Sequence, residues 1–221
     1  DLVRQTLGRA NAQPGQIQRA VVTMDAPLRN GTVTRGRDTE GWEGWNLPAA
    51  LTGGTGIPVV SAETRIVCEG MGEEKFGALR SENSSEYSDW LLIHIGSRIG
   101  GAARVNGAIL RGASGVALDI GSVCIERDGS IGPNGNRGAL DAYCGAEAFR
   151  ARAASYGLTP PQVLDLWQMP ENFAARSLTE DYVRRLAQGI GAAICILNPA
   201  RVVVCGSLAV ELGDTLLQPL R

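Results

Sequence analysis

Ile95 to Ser122 reads IGSRIGGAARVNGAILRGASGVALDIGS. It follows directly on Trp90 to Ile95 (WLLIHI), a short run of large apolar residues that reads as a buried strand. The glycines of Gly96-Ser97-Arg98-Ile99-Gly100-Gly101 let backbone N–H groups approach an anion closely, or let a strand turn tightly into a hairpin. Asn106-Gly107 lies between Ala102 to Val105 and Ile109 to Arg111, and this dipeptide favours positive φ at both centres of a two-residue hairpin. Gly112 to Arg137 is rich in glycine and turn residues and reads mostly as loop.

Working outward, strands and helices alternate. Leu2 to Ala10 has helical spacing and ends at a Pro14-Gly15 turn. Ala20 to Met24 reads as a buried strand. Thr32-Val33-Thr34 reads as another after an Asn30-Gly31 turn. Gly41 to Trp45 (GWEGW) is loop-like, Leu47 to Leu51 a short helix, Ile57 to Ser61 a strand and Thr64 to Gly70 a helix. Ser81 to Ser88 is polar and reads as a surface loop between lobes. Helices are expected over Gly138 to Tyr156 and Pro160 to Gln168. A long one follows to Leu197, capped by the Ser177/Glu180 spacing and stopped at Asn198-Pro199. Val202 to Cys205 reads as a buried strand, Gly206 as its turn, and Leu212 to Leu217 as the start of a further helix. The pattern predicts an α/β fold with a mixed sheet.

The 221 residues suffice for two lobes, each with its own core. Charged residues make up 20% and the net charge is −2, so no strong field draws this chain to nucleic acid or to a membrane surface. The five cysteines include no CxxC pair, which argues against a disulfide framework and for a reducing compartment. Cys195 and Cys205 lie in apolar runs, where a thiol acts as a small hydrophobe. No apolar run reaches the roughly 18 residues of a spanning helix, and no leader-like segment opens the chain. The expected location is cytoplasmic.

The stretch from Ile95 to Ser122, with Val21 to Leu51 and Arg201 to Leu208 (RVVVCGSL), resembles the ROK family (repressors, open reading frames, kinases). The resemblance implies an actin-like, ribonuclease H-like fold with two lobes and a sugar site in the cleft. Residues 1–87 would form part of the N-terminal lobe and 88–221 the C-terminal lobe. Both ends are expected to be truncated. The first phosphate-loop hairpin and, in regulators, a winged helix-turn-helix would precede Asp1, and the last helices would follow Arg221.

The resemblance also places the site. A kinase needs a carboxylate base near the accepting hydroxyl. The family's asparagine-aspartate pair falls on Glu63 and Thr64, and a threonine hydroxyl is no base near neutral pH. Glu63 is either a substitute base or an acid favoured at a helix N-terminus. The zinc loop's histidine and three cysteines fall on Ser122, Gly132, Asn134 and Ala139, so no metal is expected there. Cys124 and Cys144 lie nearby and read as buried structural thiols. The family's two sugar-binding glutamates fall on Asp119 and Asp141, and its sugar-entry asparagine on Asp38. These acids are either acceptors for sugar hydroxyls or cleft-edge and capping residues. Gly96, Ser97, Gly100 and Gly101 form the phosphate-facing turn, in which Arg98 either reaches a phosphate or fills its place. His94 reads as a core or sheet-face residue. Trp42 matches a position near the cleft mouth. Packing is the default reading of Trp42 and Trp45, and stacking on a sugar the alternative.

These readings favour the effector domain of a transcriptional regulator with a degenerate kinase site. It would bind a sugar or sugar derivative, act as a homodimer or tetramer, and reach DNA through a domain outside this chain. No cofactor is then required. The alternative is a glucokinase-like sugar kinase using Glu63, ATP and Mg²⁺. A third reading is a dimerisation scaffold that binds neither.

Overall fold

In the computed structural model, the Leu2–Arg9 stretch forms α1, with Pro14–Gln16 as a single 3₁₀ turn beyond it. The structure describes residues 2–36, 39–80, 89–133 and 135–221. The β-branched run Ala20–Met24 is β1, Leu28–Arg29 is β2 and Thr32–Val33 is β3. Asn30 (φ 50) and Gly31 (φ 75) form the predicted turn, and the structure adds β2 before it, paired antiparallel to β3. α2 (Leu47–Thr55) runs past the expected Leu51. Asn46 caps its N-terminus, Oδ1 accepting from Ala49 N at 3.0 Å, and Gly56 closes it in the left-handed conformation.

β4 (Val59–Thr64) starts and ends later than the predicted strand and leads straight into α3 (Arg65–Phe76). It pairs parallel to β1, bringing Thr23 opposite Glu63 and Met24 opposite Thr64. Ala26, Leu28, Val33 and Leu47 form the core here, with Met24, Leu51 and Ala62 packed against it.

β5 (Trp90–Ile95) pairs antiparallel with β6 (Ile99–Val105), and β7 (Ala108–Ile109) folds back on β6 through Asn106 (φ 51) and Gly107 (φ 76), the predicted hairpin. A 3₁₀ turn at Ile120–Ser122 interrupts the long loop that follows. The predicted helix over 138–156 is instead two: α4 (Asp141–Cys144) and α5 (Ala146–Ser155), divided by extended backbone at Gly145. Ser97 O would lie 2.7 Å from a Cβ at Gly145, so a side chain there would push this turn away. The expected helix over 160–168 is a 3₁₀ segment, Val163–Gln168.

α6 (Phe173–Leu197) begins four residues before Ser177. Its cap is Asn172, whose Oδ1 accepts from Ala175 N at 3.1 Å, and the Ser177/Glu180 spacing lies inside the helix. β8 (Arg201–Cys205) pairs parallel to β5, giving a four-stranded sheet of order β7-β6-β5-β8. α7 (Ser207–Leu212) and α8 (Asp214–Leu220) close the chain, with Gly213 between them. Leu91, Ile93 and Ile95 of β5 are buried in a core with Phe149, Tyr182, Leu186 and Leu208. The Phe149 and Tyr182 rings lie 4.4 Å apart.

Packing divides the chain into two compact units: Asp1–Met71 with Arg111–Ala117, and Gly72–Leu110 with Leu118–Arg221. The sequence reading places one boundary between 87 and 88; in the structure the first unit ends earlier and regains a later loop. Within that unit Thr34 Oγ1 donates to Ser114 O at 2.6 Å, and the bare Cα of Gly115 lies against the Leu28 backbone. Residues 81–88, read as a surface loop, lie outside the described residues.

All five cysteines are free thiols. Cys144 is buried as expected, and burial pushes its thiol up. Cys124 and Cys195 are exposed, contrary to their sequence readings, because Cys124 lies on a surface loop and Cys195 on the outward side of α6.

The loop 123–138 is held by protein groups. Cys124 bridges to Ala139, and Ile131 to Arg137. Arg185 of α6 donates to Glu126 Oε2 at 2.7 Å and lies 3.9 Å over the Tyr143 ring, whose hydroxyl accepts from Ser130 N at 2.6 Å. Asp181 accepts from Arg185 (2.7 Å), Arg152 (2.5 Å) and Arg184. Burial raises its carboxyl pKa, but the three guanidiniums outweigh burial and leave it lowered.

A Cβ at Gly206 (φ 99) would lie 2.4 Å from Ile95 O, so Gly206→Ala should cost about 2 kcal/mol or more in urea unfolding. A carboxyl lowered on folding stabilises above its unfolded pKa of about 4, and that stability is lost as pH falls through the folded value. Asp181→Asn should therefore flatten the acid limb of stability below about pH 4, read from urea midpoints against pH.

Candidate functional site

In the second unit, the structure brings together Asp119, Ser122, Asp141 and the 96–101 turn. Asp141 opens α4 and is only 2% exposed. Its Oδ1 accepts from Ile99 N at 2.7 Å, the residue that starts β6. A Cβ at Gly121 would lie 2.5 Å from the carboxylate, so this glycine lets the 3₁₀ turn settle directly on Asp141. Asp119, just before that turn, is exposed, and its Oδ2 accepts from Ser122 Oγ at 2.6 Å. Of the two acids, then, Asp119 faces solvent while Asp141 is committed to the interior.

The glycine turn is anchored at both ends. Gly96 N donates to Arg98 O at 3.0 Å, Gly96 O accepts from Ala146 N at 2.9 Å, and Ile99 N goes to Asp141. Ser97 is exposed at the tip. Gly100 and Gly101 are strand residues, opposite His94 and Ile93. A Cβ on Gly101 would meet Ile120 at 2.8 Å, so this glycine admits the turn carrying Asp119 and Ser122 onto the sheet. His94 is half-buried on β5, its Nδ1 3.8 Å from Cys205 Sγ on β8.

In the first unit, Glu63 and Thr64 end β4. Glu63 Oε1 accepts from Thr64 N at 3.0 Å. Its Oε2 accepts from Arg111 Nε at 3.0 Å and also from Arg111 Nη2. Both oxygens of the candidate base are thus engaged. Arg111 was not marked by the sequence: it lies 48 positions from Glu63, and no local pattern pairs them. The two side chains line a cavity of about 310 Å³, walled by Asn30 and Gly31 of the β2–β3 turn, Pro48, and Val60 to Ala62 of β4. Asp38 lies outside the described residues, as does Asn134.

Where the resemblance places zinc ligands, the residues are Ser122, Gly132, Asn134 and Ala139, a hydroxyl, an amide and two without side-chain donors, a set that does not fit zinc.

Removing the Asp141 carboxylate leaves Ile99 N–H buried without this acceptor. Asp141→Ala should cost about 1–3 kcal/mol, against roughly 0.5 kcal/mol or less for exposed Asp119→Ala, both read by urea denaturation.

Comparison with known proteins matches this architecture throughout. The chain is 28% identical over 199 residues to the glucokinase of Halalkalibacterium halodurans, covering 82% of this chain and 58% of that protein. The chain thus spans less than two thirds of that relative's length. The ROK hexokinase of Thermus thermophilus superposes with a TM-score of 0.76 at 20% identity, over 98% of this chain and 70% of that one. A ROK family transcriptional regulator, homolog of the E. coli MLC protein, gives a TM-score of 0.77 at 15% identity, over 99% and 57%. The fold is the actin-like α/β fold of these proteins. The match to the family described as ROK family extends over residues 1–221, and the chain belongs to that family.

Proposed function

We propose that this chain is the sugar-sensing effector domain of a ROK-family transcriptional regulator, with no kinase chemistry of its own. The observation that carries the reading is the end of β4. Threonine stands where the family's base is expected, and the neighbouring Glu63 is held by Arg111 and by the Thr64 N–H. A hydroxyl cannot take the sugar's proton, and a carboxylate fixed in an ion pair is poorly placed to swing toward a substrate. Asp119 remains an exposed acceptor for ligand hydroxyls.

In this reading the ligand biases the geometry of a dimer or tetramer. DNA is contacted through a winged helix outside this chain, and neither ATP nor metal is needed. Among the described residues no helix is long and apolar enough to cross a membrane, and the place of action is the cytoplasm.

The second reading, an ATP-dependent sugar kinase, is favoured by the similarity to glucokinases. It requires Glu63 to leave Arg111 and act as the base, with ATP and Mg²⁺ bound at the 96–101 turn.

The two readings separate in one pair of assays on the protein with glucose, N-acetylglucosamine and N-acetylmannosamine. Sensing predicts a rise in Tm without turnover. At a hundredfold excess over Kd the gain is about 2.7 kcal/mol, roughly 5–10 °C for a chain of this size. Sugar-dependent ADP formation from Mg-ATP, lost in Glu63→Gln, would instead establish the kinase.

A further inference from the structure

Trp42 and Trp45 are 45% and 50% exposed, which the default reading of the two as packing residues does not anticipate. Their ring centroids lie 5.3 Å apart with the planes inclined by 53°, so the pair presents an angled aromatic surface. The loop that carries them is firmly built. Trp42 N donates to Thr39 O at 2.9 Å and Trp45 N to Trp42 O at 3.0 Å. Val33 N donates to Trp45 O and Gly44 N to Val33 O, both at 2.9 Å, which staples the loop to β3. At its start the buried Thr39 hydroxyl accepts from Gly36 N at 3.0 Å and lies 3.3 Å from Glu43 Oε1.

The same loop adjoins the cavity of the first unit. Leu47 N donates to Gly31 O at 2.9 Å, and Gly31 with Pro48 walls the cavity that holds Glu63 and Arg111. At about 310 Å³ this cavity is at the small end of ligand pockets. Along the loop, the exposed sequence neighbours of the two rings are Glu40, Gly41, Glu43, Gly44 and Asn46. A protein-binding hot spot would be expected to have a surround depleted in charge. Carboxylates and an amide beside aromatic faces suit a neutral carbohydrate, whose C–H face stacks while its hydroxyls find acceptors, and they repel phosphorylated or acidic ligands.

We propose that Trp42 and Trp45 form a stacking subsite for the second ring of a neutral glycoside whose first ring occupies the Glu63–Arg111 cavity. The ligand class is therefore a disaccharide or aryl glycoside rather than a free monosaccharide. The assignment rests on the sugar-sensing reading and sharpens it.

The test compares Kd values, by tryptophan fluorescence and by calorimetry, for glucose, galactose and N-acetylglucosamine with those for maltose, cellobiose, lactose and chitobiose. Wild-type protein should bind at least one disaccharide tenfold or more tighter than its constituent monosaccharide. In Trp42→Ala/Trp45→Ala that ratio should fall to about one, and Trp42→Phe/Trp45→Phe, which keeps two stacking faces, should restore most of it. Equal affinity for mono- and disaccharides in the wild type, or a ratio unchanged in the alanine double variant, overturns the subsite while leaving sugar sensing intact. No binding of any of these sugars overturns both. A sugar-insensitive dimer that the alanine double variant dissociates in gel filtration would overturn the subsite and assign the pair to self-association.

Discussion

The carboxylate of Asp141 is the constraint on which the second unit depends. It is 2% exposed, begins α4, lies against Gly121 of the 3₁₀ turn, and accepts the Ile99 N–H at the start of β6. Three segments distant in sequence are thereby fixed around one buried acid: the hairpin turn, the Asp119–Ser122 corner and the α4–α5 helix pair. A buried carboxyl is tolerated only where its acceptor oxygens are used, so these segments are tied to one another by the cost of releasing any of them. The glycines around it are the steric counterpart, since Gly101, Gly121 and Gly145 each occupy a place where a Cβ would collide.

The loop leading from that corner back to Asp141 is ordered by charge and aromatic stacking. Arg185 reaches it from α6, lies on the Tyr143 ring and holds Glu126, while Asp181 gathers Arg152, Arg184 and Arg185 at the base. With Arg185 mostly buried, these contacts are screened less than surface pairs and fix both ends of the loop. This is how the chain keeps a long connection in register where the resemblance leads one to look for zinc ligands and the residues do not supply them.

The first unit applies the same economy to a different end. Its core is small, centred on Leu28, Val33 and Leu47, and it recruits the 111–117 loop from far along the chain. Arg111 arrives with that loop and meets Glu63, turning a potential base into half of an ion pair beside a cavity. β3, which follows the turn lining this cavity, carries through Val33 the bonds that hold the Trp42–Trp45 loop.

Much of this was legible in the sequence. Continuous apolar runs marked β1, β5 and β8, of which only β5 is buried as expected, Asn-Gly dipeptides marked two turns, and the glycine pattern of 95–122 marked the family and its fold. Such features are set by local backbone preference and side-chain size, which neighbouring residues suffice to specify. Helix boundaries were less legible. Asn172 rather than Ser177 caps α6 through Ala175 N, a local cap that the Ser177/Glu180 spacing outcompeted in the reading, while Gly145 divides α4 from α5 where its steric conflict, with Ser97 O, lies outside the local window. The site residues were found by resemblance, but their states were not. The burial of Asp141, the pairing of Glu63 with Arg111 and the exposure of Trp42 and Trp45 depend on which distant segments pack alongside. The sequence by itself determined most strands and turns and the inventory of acids. The tertiary structure alone decided which acids are buried, paired or open to a ligand, because burial and pairing are properties of groups brought together across the chain.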